Sequence, residues 1–254
     1  ECTLSAGGTP VLKDRHLTFQ ADPENAAELR KAGFTVLNLA NNHAMDFGAE
    51  GLLQTLEALQ RNNLSWAGAG RDREESLKPL YIHKEGTIIG FLSFSAFPPE
   101  GYFYFEDRPN VAHISEMTLD ACISQAKENC DILLVSFHWG REFDFFPNEQ
   151  QKNWAHRAID HGADMVIGHH PHVLQGIEQY NGKMIFYSLG NFIFDRQIPR
   201  ETDKTIIVNV KIRNRRIQQT DIIPVAIENS RPRVLTGEQA ETVLKRLELY
   251  SEGI

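Results

Sequence analysis

The sequence predicts an α/β fold, layered in the α+β manner, in which helices flank a mixed β-sheet. Between residues 34 and 168, buried strand patterns alternate with amphipathic helix patterns. This alternation is typical of strands joined by helical connections. After residue 168 the pattern changes to paired strands separated by tight turns, which adds antiparallel strands. We therefore expect a layered domain whose sheet contains both parallel and antiparallel pairs.

The predicted strands are near-continuous apolar runs, the pattern of a strand buried on both faces. The predicted helices carry apolar side chains at a spacing of about 3.6 residues. In the first of them Leu52, Leu56 and Leu59 fall on one face. The strands are expected at 34–40, 88–94, 131–137 and 164–168, and the helices at 49–59, 119–130 and 148–159.

The last part of the chain predicts two hairpins and a closing helix. Asn181-Gly182 is a strong two-residue turn signal between strands at 174–180 and 183–189. A second antiparallel pair is expected at 205–212 and 217–223. The basic run between them, Lys211 to Arg216, is interpreted as an exposed turn. A helix at about 236–250 ends the pattern, and no linker divides it, so we expect one domain over residues 1–254.

Composition restricts the class of protein. The 254 residues carry a formal net charge of −8, which argues against nucleic acid as a partner, since binding phosphates requires clustered Lys and Arg. An anionic small substrate is still compatible, because a metal ion can supply local positive charge. No apolar run approaches the roughly 18 residues that a membrane-spanning helix needs, so no membrane span is expected.

The three cysteines predict no disulfide framework. Cys122 and Cys130 are expected on a single helix, where their separation along the axis would be about 12 Å. That distance is too long for a disulfide. Cys2 has no evident partner in the sequence.

Three polar clusters each follow a predicted buried strand. They are Asn41-Asn42-His43-Ala44-Met45-Asp46, His138-Trp139-Gly140-Arg141-Glu142 and His169-His170-Pro171-His172. Ligands collect at the carboxyl ends of strands in sheets of this kind. Imidazole, amide oxygen and carboxylate are also the groups that divalent metals bind. The sequence therefore predicts a metal site at this edge of the sheet, formed by Asn42, His43, His138, His170 and His172.

The prediction depends on the three clusters together, because a lone histidine after a strand is usually a capping or surface residue. In an extended His170-Pro171-His172 segment the two rings would point to opposite sides and serve adjacent metals. Proline would stiffen the pair. The remaining histidines have no partner cluster and are interpreted as surface or core residues; they are His16, His83, His113, His156 and His161.

Four runs of the sequence resemble a known family. They are AGFTVLNLANNHAMDFGAEGLLQTLEAL (32–59), SFHWGREF (136–143), GADMVIGHHPHVLQGIE (162–178) and IFYSLGNFIFD (185–195). The family is the bacterial capsule synthesis protein A family, also called the poly-γ-glutamate synthesis protein family, within the calcineurin-like metallophosphatase superfamily. The resemblance implies a metallophosphatase-like sandwich built on a mixed sheet.

The resemblance also implies roles for individual residues. Asn42 would ligate one metal through its amide, and His43 would be the catalytic residue that faces the leaving group. His138, His170 and His172 would be metal ligands. Glu1 would match the carboxylate at the end of the family's Asn-x-Glu motif. The family's first strand carries an aspartate ligand, and we expect this N-terminal strand to be missing from the sequence.

A second group of residues is expected to line the substrate pocket or to orient the ligands. Structural roles, such as turn hydrogen bonds, are equally compatible with the sequence. The group consists of Asn41, Asp46, Glu142, His169, Gln175 and Asn191, with Ser188 and Asp195 as further members.

The leading hypothesis is a metal-dependent hydrolase of the phosphoesterase type, linked to capsule or poly-γ-glutamate biosynthesis. It would use two divalent transition ions, Mn, Fe or Zn, about 3.5–4 Å apart. Its substrate would be a phosphoester or an anionic polymer. One alternative is a non-catalytic accessory component of a cell-envelope polymer machine, and another is an amide hydrolase acting on γ-glutamyl polymer.

The resemblance suggests a capsule-synthesis membrane complex as a partner, at the extracytoplasmic face of the bacterial cell envelope. The aromatic stretch from Phe97 to Phe105 is expected to be a loop, because it contains proline and glycine. A loop this aromatic either packs onto the core or binds a partner.

Overall fold

The computed structural model describes residues 1–98, 101, 103–195 and 201–254. In these ranges the chain forms helices, strands and one short 3₁₀ turn, Arg15–Leu17. The helices are α1 Asn25–Lys31, α2 Gly48–Arg61, α3 Arg73–Ser76, α4 Glu116–Lys127, α5 Glu149–Asp160 and α6 Gly237–Ser251. The strands are β1 Thr3–Leu4, β2 Gln20–Ala21, β3 Val36–Asn38, β4 Ser65–Ala67, β5 Ala69–Gly70, β6 Leu80–Lys84, β7 Thr87–Ser95, β8 Asn110–Val111, β9 Ile132–His138, β10 Met165–His169, β11 Ile177–Tyr180, β12 Lys183–Phe186, β13 Lys204–Arg213, β14 Arg216–Glu228 and β15 Arg231–Val234.

The largest sheet has six strands in the order β11-β12-β10-β9-β7-β6. β10 pairs with β12 in parallel, with Met165 opposite Met184, whereas β11 pairs with β12 in an antiparallel hairpin. The sheet is therefore mixed, and the predicted α/β fold class is confirmed. The smaller sheets are β13-β14-β15, β1-β2, β3-β4 and β5-β8.

The chain divides into two compact units. Unit 1 contains residues 1–81, 91–122 and 136–138, and unit 2 contains residues 82–90, 123–135 and 139–254. The expectation of a single domain over residues 1–254 stays a prediction. No described helix has the length and apolar character needed to cross a membrane.

Unit 1 is organised around α2. The predicted leucines Leu52, Leu56 and Leu59 are all buried, in one cluster with Leu4 of β1. Each buried leucine contributes about 1.5–3 kcal/mol of hydrophobic stabilisation. The hydroxyl of Thr55 also accepts a 2.9 Å hydrogen bond from the Leu4 amide, which ties the first strand to this helix.

Unit 2 is built on the second half of the chain. Ile206 of β13 and Phe186 of β12 share a buried cluster with Val243 and Leu247, which are four residues apart on one face of α6. The predicted hairpin of β13 and β14 is present, with Lys204 opposite Ala226 at its open end. Helix α5 begins at the predicted place, where Asn148 and Gln151 form a capping box.

Several boundaries differ from the prediction; the strands expected at 174–180 and 183–189, for example, are Ile177–Tyr180 and Lys183–Phe186. The strand expected at 34–40 is only Val36–Asn38, because the Asn38 side chain accepts a 2.8 Å hydrogen bond from the Ala40 amide and turns the chain. Helix α4 ends at Lys127, so Cys130 lies beyond it and not on the same helix as Cys122. All three cysteines are free.

Candidate functional site

The first polar cluster of unit 1 is a tight turn after β3. The Asn41 side chain accepts a 2.9 Å hydrogen bond from the His43 amide, which is the local bond that asparagine typically makes in turns. Asn41, Asn42, His43 and Asp46 are all buried. Polar side chains that are buried must be satisfied by specific partners, so the contacts of this turn define what it can do.

Asn42 meets His138, the last residue of β9. The Asn42 amide oxygen lies 2.8 Å from Nε2 of His138, and a carboxylate oxygen of Glu1 lies 3.5 Å from the same nitrogen. The His138 side chain is almost fully buried, and that of Glu1 is 18% exposed. Two of the predicted metal ligands, Glu1 and Asn42, therefore converge on a third, His138, in unit 1.

His43 has a separate set of partners. Its Nδ1 lies 2.9 Å from one oxygen of the buried Asp46 carboxylate, which also accepts the Phe19 amide at 2.7 Å. The Lys13 ammonium lies 2.5 Å from the other Asp46 oxygen and 3.2 Å from Nδ1. A carboxylate can only accept, so the contact with Asp46, the shorter of the two made by Nδ1, is a hydrogen bond only if Nδ1 carries the proton. We therefore assign the proton to Nδ1. The Phe19 ring packs on the imidazole at a centroid distance of 4.3 Å.

The donor set of unit 1 fits a divalent transition metal in its chemistry. Imidazole, amide and carboxylate oxygen suit Mn, Fe and Zn, and the amide and carboxylate oxygens lie 2.8 and 3.5 Å from Nε2 of His138. Within the described part of the chain, no three His, Cys, Asp or Glu side chains are grouped as a metal would require. In unit 1 the third donor, beside the Glu1 carboxylate and the His138 imidazole, is the side-chain amide of Asn42.

The third polar cluster lies in unit 2, where β10 ends at His169. The expected extended geometry of His170-Pro171-His172 is wrong. Both histidines have positive φ, 97° and 62°, so the segment bends, and the ring centroids lie 6.0 Å apart with a 46° tilt. The bend is held by a 2.8 Å hydrogen bond from the Phe143 amide to the Pro171 carbonyl. The two rings are near neighbours and do not point to opposite sides.

His172 is oriented by a side-chain amide. Its Nδ1 lies 2.8 Å from the Asn191 side-chain oxygen, and its Nε2 lies 3.9 Å from a carboxylate oxygen of Glu142. The Phe143 and Phe194 rings contact the imidazole at centroid distances of 6.0 and 5.3 Å. The Asn191 side chain thus orients the His172 ring.

Other predicted pocket residues have structural contacts. The buried Gln175 donates to the Asp144 carbonyl at 2.9 Å and accepts from Gln151 at 2.8 Å. The Ser188 hydroxyl donates to the Val173 carbonyl at 2.7 Å. Asp195 is exposed.

One histidine outside the predicted clusters has a carboxylate partner. Nε2 of His156 lies 2.9 Å from both oxygens of Glu178, and its ring stacks on Tyr180 at 3.9 Å. The Tyr187 hydroxyl also donates to Glu178, at 2.6 Å. Burial, together with this bond, raises the pKa of Tyr187, so its hydroxyl stays protonated. This cluster connects α5 to the hairpin of β11 and β12.

The sequence patterns do not indicate Lys13 and Phe19, which contact the His43–Asp46 pair. Neither residue belongs to a polar cluster or follows a long predicted strand, so no local pattern indicates them. Phe97 of the aromatic stretch lies against His138, edge to face, with ring centroids 6.2 Å apart. Phe103 is 81% exposed, and residues 99, 100 and 102 lie outside the described residues.

The fold is of the metallophosphatase type. The structure of Haemophilus influenzae NAD nucleotidase matches 89% of this chain and 48% of its own chain, with a TM-score of 0.53 and 15% sequence identity. At this identity the likeness shows the fold alone.

The family follows from the sequence. Residues 1–196 match the family described as bacterial capsule synthesis protein PGA_cap, and this chain belongs to that family, as the resemblance indicated. The PGA biosynthesis protein CapA of Bacillus subtilis is 35% identical over 237 residues, covering 92% of this chain and 62% of that protein. The capsule biosynthesis protein CapA of Bacillus anthracis is 35% identical over 228 residues, covering 88% of this chain and 55% of that protein. The chain thus spans less than two thirds of either relative.

Proposed function

We propose that this chain is a divalent-metal-dependent hydrolase of the phosphoesterase type that acts in capsule or poly-γ-glutamate biosynthesis. The observation that carries the proposal is the convergence of Glu1 and Asn42 on Nε2 of His138. Its support is that a carboxylate, a buried amide and a buried imidazole form a donor set typical of such ions. Membership of the capsule synthesis family and the metallophosphatase-like fold support it further.

The residues that would hold the metals are Glu1, Asn42 and His138 in unit 1, and His170 and His172 in unit 2. When bound, Mn, Fe or Zn supplies a Lewis acid that neutralises negative charge developing on the substrate. Two ions are proposed, because each unit contains its own set of donors. Asn191 would keep the His172 ring in place through the 2.8 Å bond to Nδ1.

His43 is proposed as the general acid. Since the Nδ1 proton is assigned to the bond with Asp46, Nε2 is the ring atom that can take up a second proton. The imidazolium so formed would give this proton to the leaving group and return to the tautomer protonated on Nδ1. Asp46 would be a positioning residue that keeps the tautomer and the ring orientation constant. The Phe19 ring restricts the imidazole from one side.

The biological context is proposed from the family. The substrate would be a phosphoester or an anionic polymer, and the partner a capsule-synthesis complex at the cell envelope. An overall charge of −8 makes bound metal ions the natural source of attraction for such substrates.

Metal content tests the proposal. Elemental analysis of protein purified without added metal is expected to find about two transition-metal equivalents. The variant His170→Ala/His172→Ala is expected to lose about one of them, because it removes both imidazoles of unit 2. A matched control, His16→Ala/His83→Ala, removes two exposed histidines and is expected to keep the full content.

The donors of unit 1 are tested separately. Asn42→Ala/His138→Ala is expected to lose the other equivalent and the hydrolysis of a model phosphodiester. Absence of metal from the parent protein, or equal content in all variants, would overturn the hydrolase proposal. A non-catalytic accessory role would then explain the family membership better.

A further inference from the structure

A basic cavity lies in unit 2, outside the candidate metal site. Its volume is about 460 Å³, within the range of small-molecule sites. The charged side chains that line it are those of Lys127, Asp131, Asp164, Lys183, Arg215 and Arg216, an excess of two positive charges. This local excess contrasts with the net charge of −8 of the whole chain.

The cavity lies at the start of β10. Met165, the first residue of this strand, lines the cavity, whereas His169 is its last residue. Gly182 and Lys183 place the turn of the β11–β12 hairpin at the same end. The cavity and the histidine cluster of unit 2 are therefore at opposite ends of one strand, and the cavity is a separate place on the molecule.

Two of the cations, Lys127 and Lys183, are held in place by a shared carboxylate. The ammonium groups of Lys127 and Lys183 each lie 2.5 Å from a different oxygen of the Asp164 carboxylate. Burial raises the pKa of Asp164, but the hydrogen bonds from both lysines outweigh it, and the pKa lies below its ordinary value. The carboxylate stays ionised and holds both ammonium groups in place. Together the two lysines and Asp164 carry one net positive charge.

The other two cations, Arg215 and Arg216, lie at the turn of the β13–β14 hairpin. Asn214 and Arg215 have positive φ, 52° and 59°, so the β13–β14 hairpin closes tightly. The Arg215 guanidinium lies 3.8 Å from Asp131 and is 68% exposed, so it can reorient toward a ligand. Arg216 is exposed as well. The basic run Lys211 to Arg216, which the sequence predicted to be an exposed turn, thus contributes Arg215 and Arg216 to the lining of the cavity.

The rest of the lining is apolar. Ile132, Met165, Met184 and Ile217 all contribute to it. Guanidinium groups bind carboxylates through paired hydrogen bonds, and apolar side chains cover methylene groups. We propose that the basic cavity binds an aliphatic polycarboxylate, with its carboxylates on Arg215 and Arg216 and its carbon chain over the apolar residues. Such a ligand is either a free dicarboxylate or a segment of a carboxylate polymer.

Calorimetric titration of metal-stripped protein tests this proposal, with glutarate and a γ-linked tetraglutamate as probes. Saturable binding of at least one probe is expected. Arg215→Ala/Arg216→Ala is expected to weaken it about tenfold or more, equivalent to about 1.4 kcal/mol. Tighter binding of the tetraglutamate would identify the polymer as the source, and equal binding would identify the free dicarboxylate.

Two controls separate the cavity from other effects. Arg231→Ala/Lys245→Ala removes the same charge from exposed positions and is expected to bind within about twofold of the parent protein, since distant surface charges are screened by salt. In the His170→Ala/His172→Ala background the effect of Arg215→Ala/Arg216→Ala is expected to persist, so failure of the hydrolase proposal would not affect this one. Absence of saturable binding would overturn the proposal. An equal loss of affinity in Arg215→Ala/Arg216→Ala and in Arg231→Ala/Lys245→Ala would overturn it too.

Discussion

The indole nitrogen of Trp139 donates a 2.9 Å hydrogen bond to the backbone carbonyl of Tyr187. Gly168 of β10 leaves the room for this bond: a Cβ at that position would stand 2.0 Å from the Tyr187 oxygen and 2.4 Å from the indole nitrogen. Because β10 ends at His169, close packing here determines where the histidine segment leaves the strand.

Gly168→Ala is therefore expected to lower the free energy of unfolding by about 3 kcal/mol, because a backbone carbonyl and a buried indole must both shift. Urea denaturation measures the change. Gly182→Ala is the control, since its added Cβ would meet nothing within 4 Å and only the φ of +74° is strained; about 1 kcal/mol is expected there. Equal losses would contradict the packing argument.

Asp46→Asn tests the orientation of His43. An amide can present its NH₂ group to Nδ1, so the tautomer is no longer constrained, and we expect phosphodiester hydrolysis to fall by about 10- to 100-fold. Long-range ¹H–¹⁵N NMR of the histidine rings is expected to show the proton moving from Nδ1. Asp107→Asn, at an exposed position, is expected to change neither result. An unchanged ring spectrum in Asp46→Asn would refute the assigned bond.

Asp164→Asn is expected to destabilise the protein by about 1–3 kcal/mol at pH 7, because two ammonium groups lose their charged acceptor. Since the folded pKa of Asp164 is depressed, its contribution is present above the unfolded value of about 3.9 and is lost as the pH falls through the folded pKa. The difference in free energy of unfolding between parent and variant should begin to narrow below about pH 4 and continue to narrow as the pH falls further. Thermal unfolding across pH 3–7 measures it.

The control for that series is Asp160→Asn, at an exposed carboxylate that accepts from Tyr180 at 3.2 Å and Asn181 at 3.0 Å. Its expected effect is within about 0.5 kcal/mol at every pH. A difference for Asp164→Asn that does not narrow at low pH would show that its cause is not the ionised carboxylate.

Gln151→Ala removes two functions at once. Gln151 completes the capping box of α5 with Asn148, and its amide donates to the buried Gln175 at 2.8 Å. The free energy of unfolding is expected to fall by about 1–3 kcal/mol, because the helix cap is lost and the buried Gln175 oxygen loses its donor. Gln150→Ala, at the adjacent exposed position, is the matched control in chemical denaturation and should be nearly neutral. Similar losses in the two variants would contradict a specific role of the Gln151 side chain, because alanine is itself the better helix former.

Most of the long elements could be predicted from the sequence, because their patterns are local. Leu52, Leu56 and Leu59 identify α2 by their spacing alone, and Asn181-Gly182 identifies the turn of the β11–β12 hairpin. The short elements α1, α3 and β15 were not predicted, since a few residues carry too little periodicity.

The family and the identity of the candidate ligands were also readable from the sequence, since they reside in contiguous motifs such as Asn41–His43 and His169–His172. The geometry of the second motif was not: the positive φ of His170 and His172 depends on a hydrogen bond from Phe143, which no local pattern indicates.

By itself the sequence determined the fold class, the order of the long helices and strands, and which polar side chains end the strands, because these depend on periodicity and on near neighbours. Only the tertiary structure decided the partners of those side chains. Asn42 meets His138 across 96 positions of the sequence, and Lys13 meets Asp46. Such pairs are set by how buried elements pack, because a buried polar group must find its partner wherever packing places one.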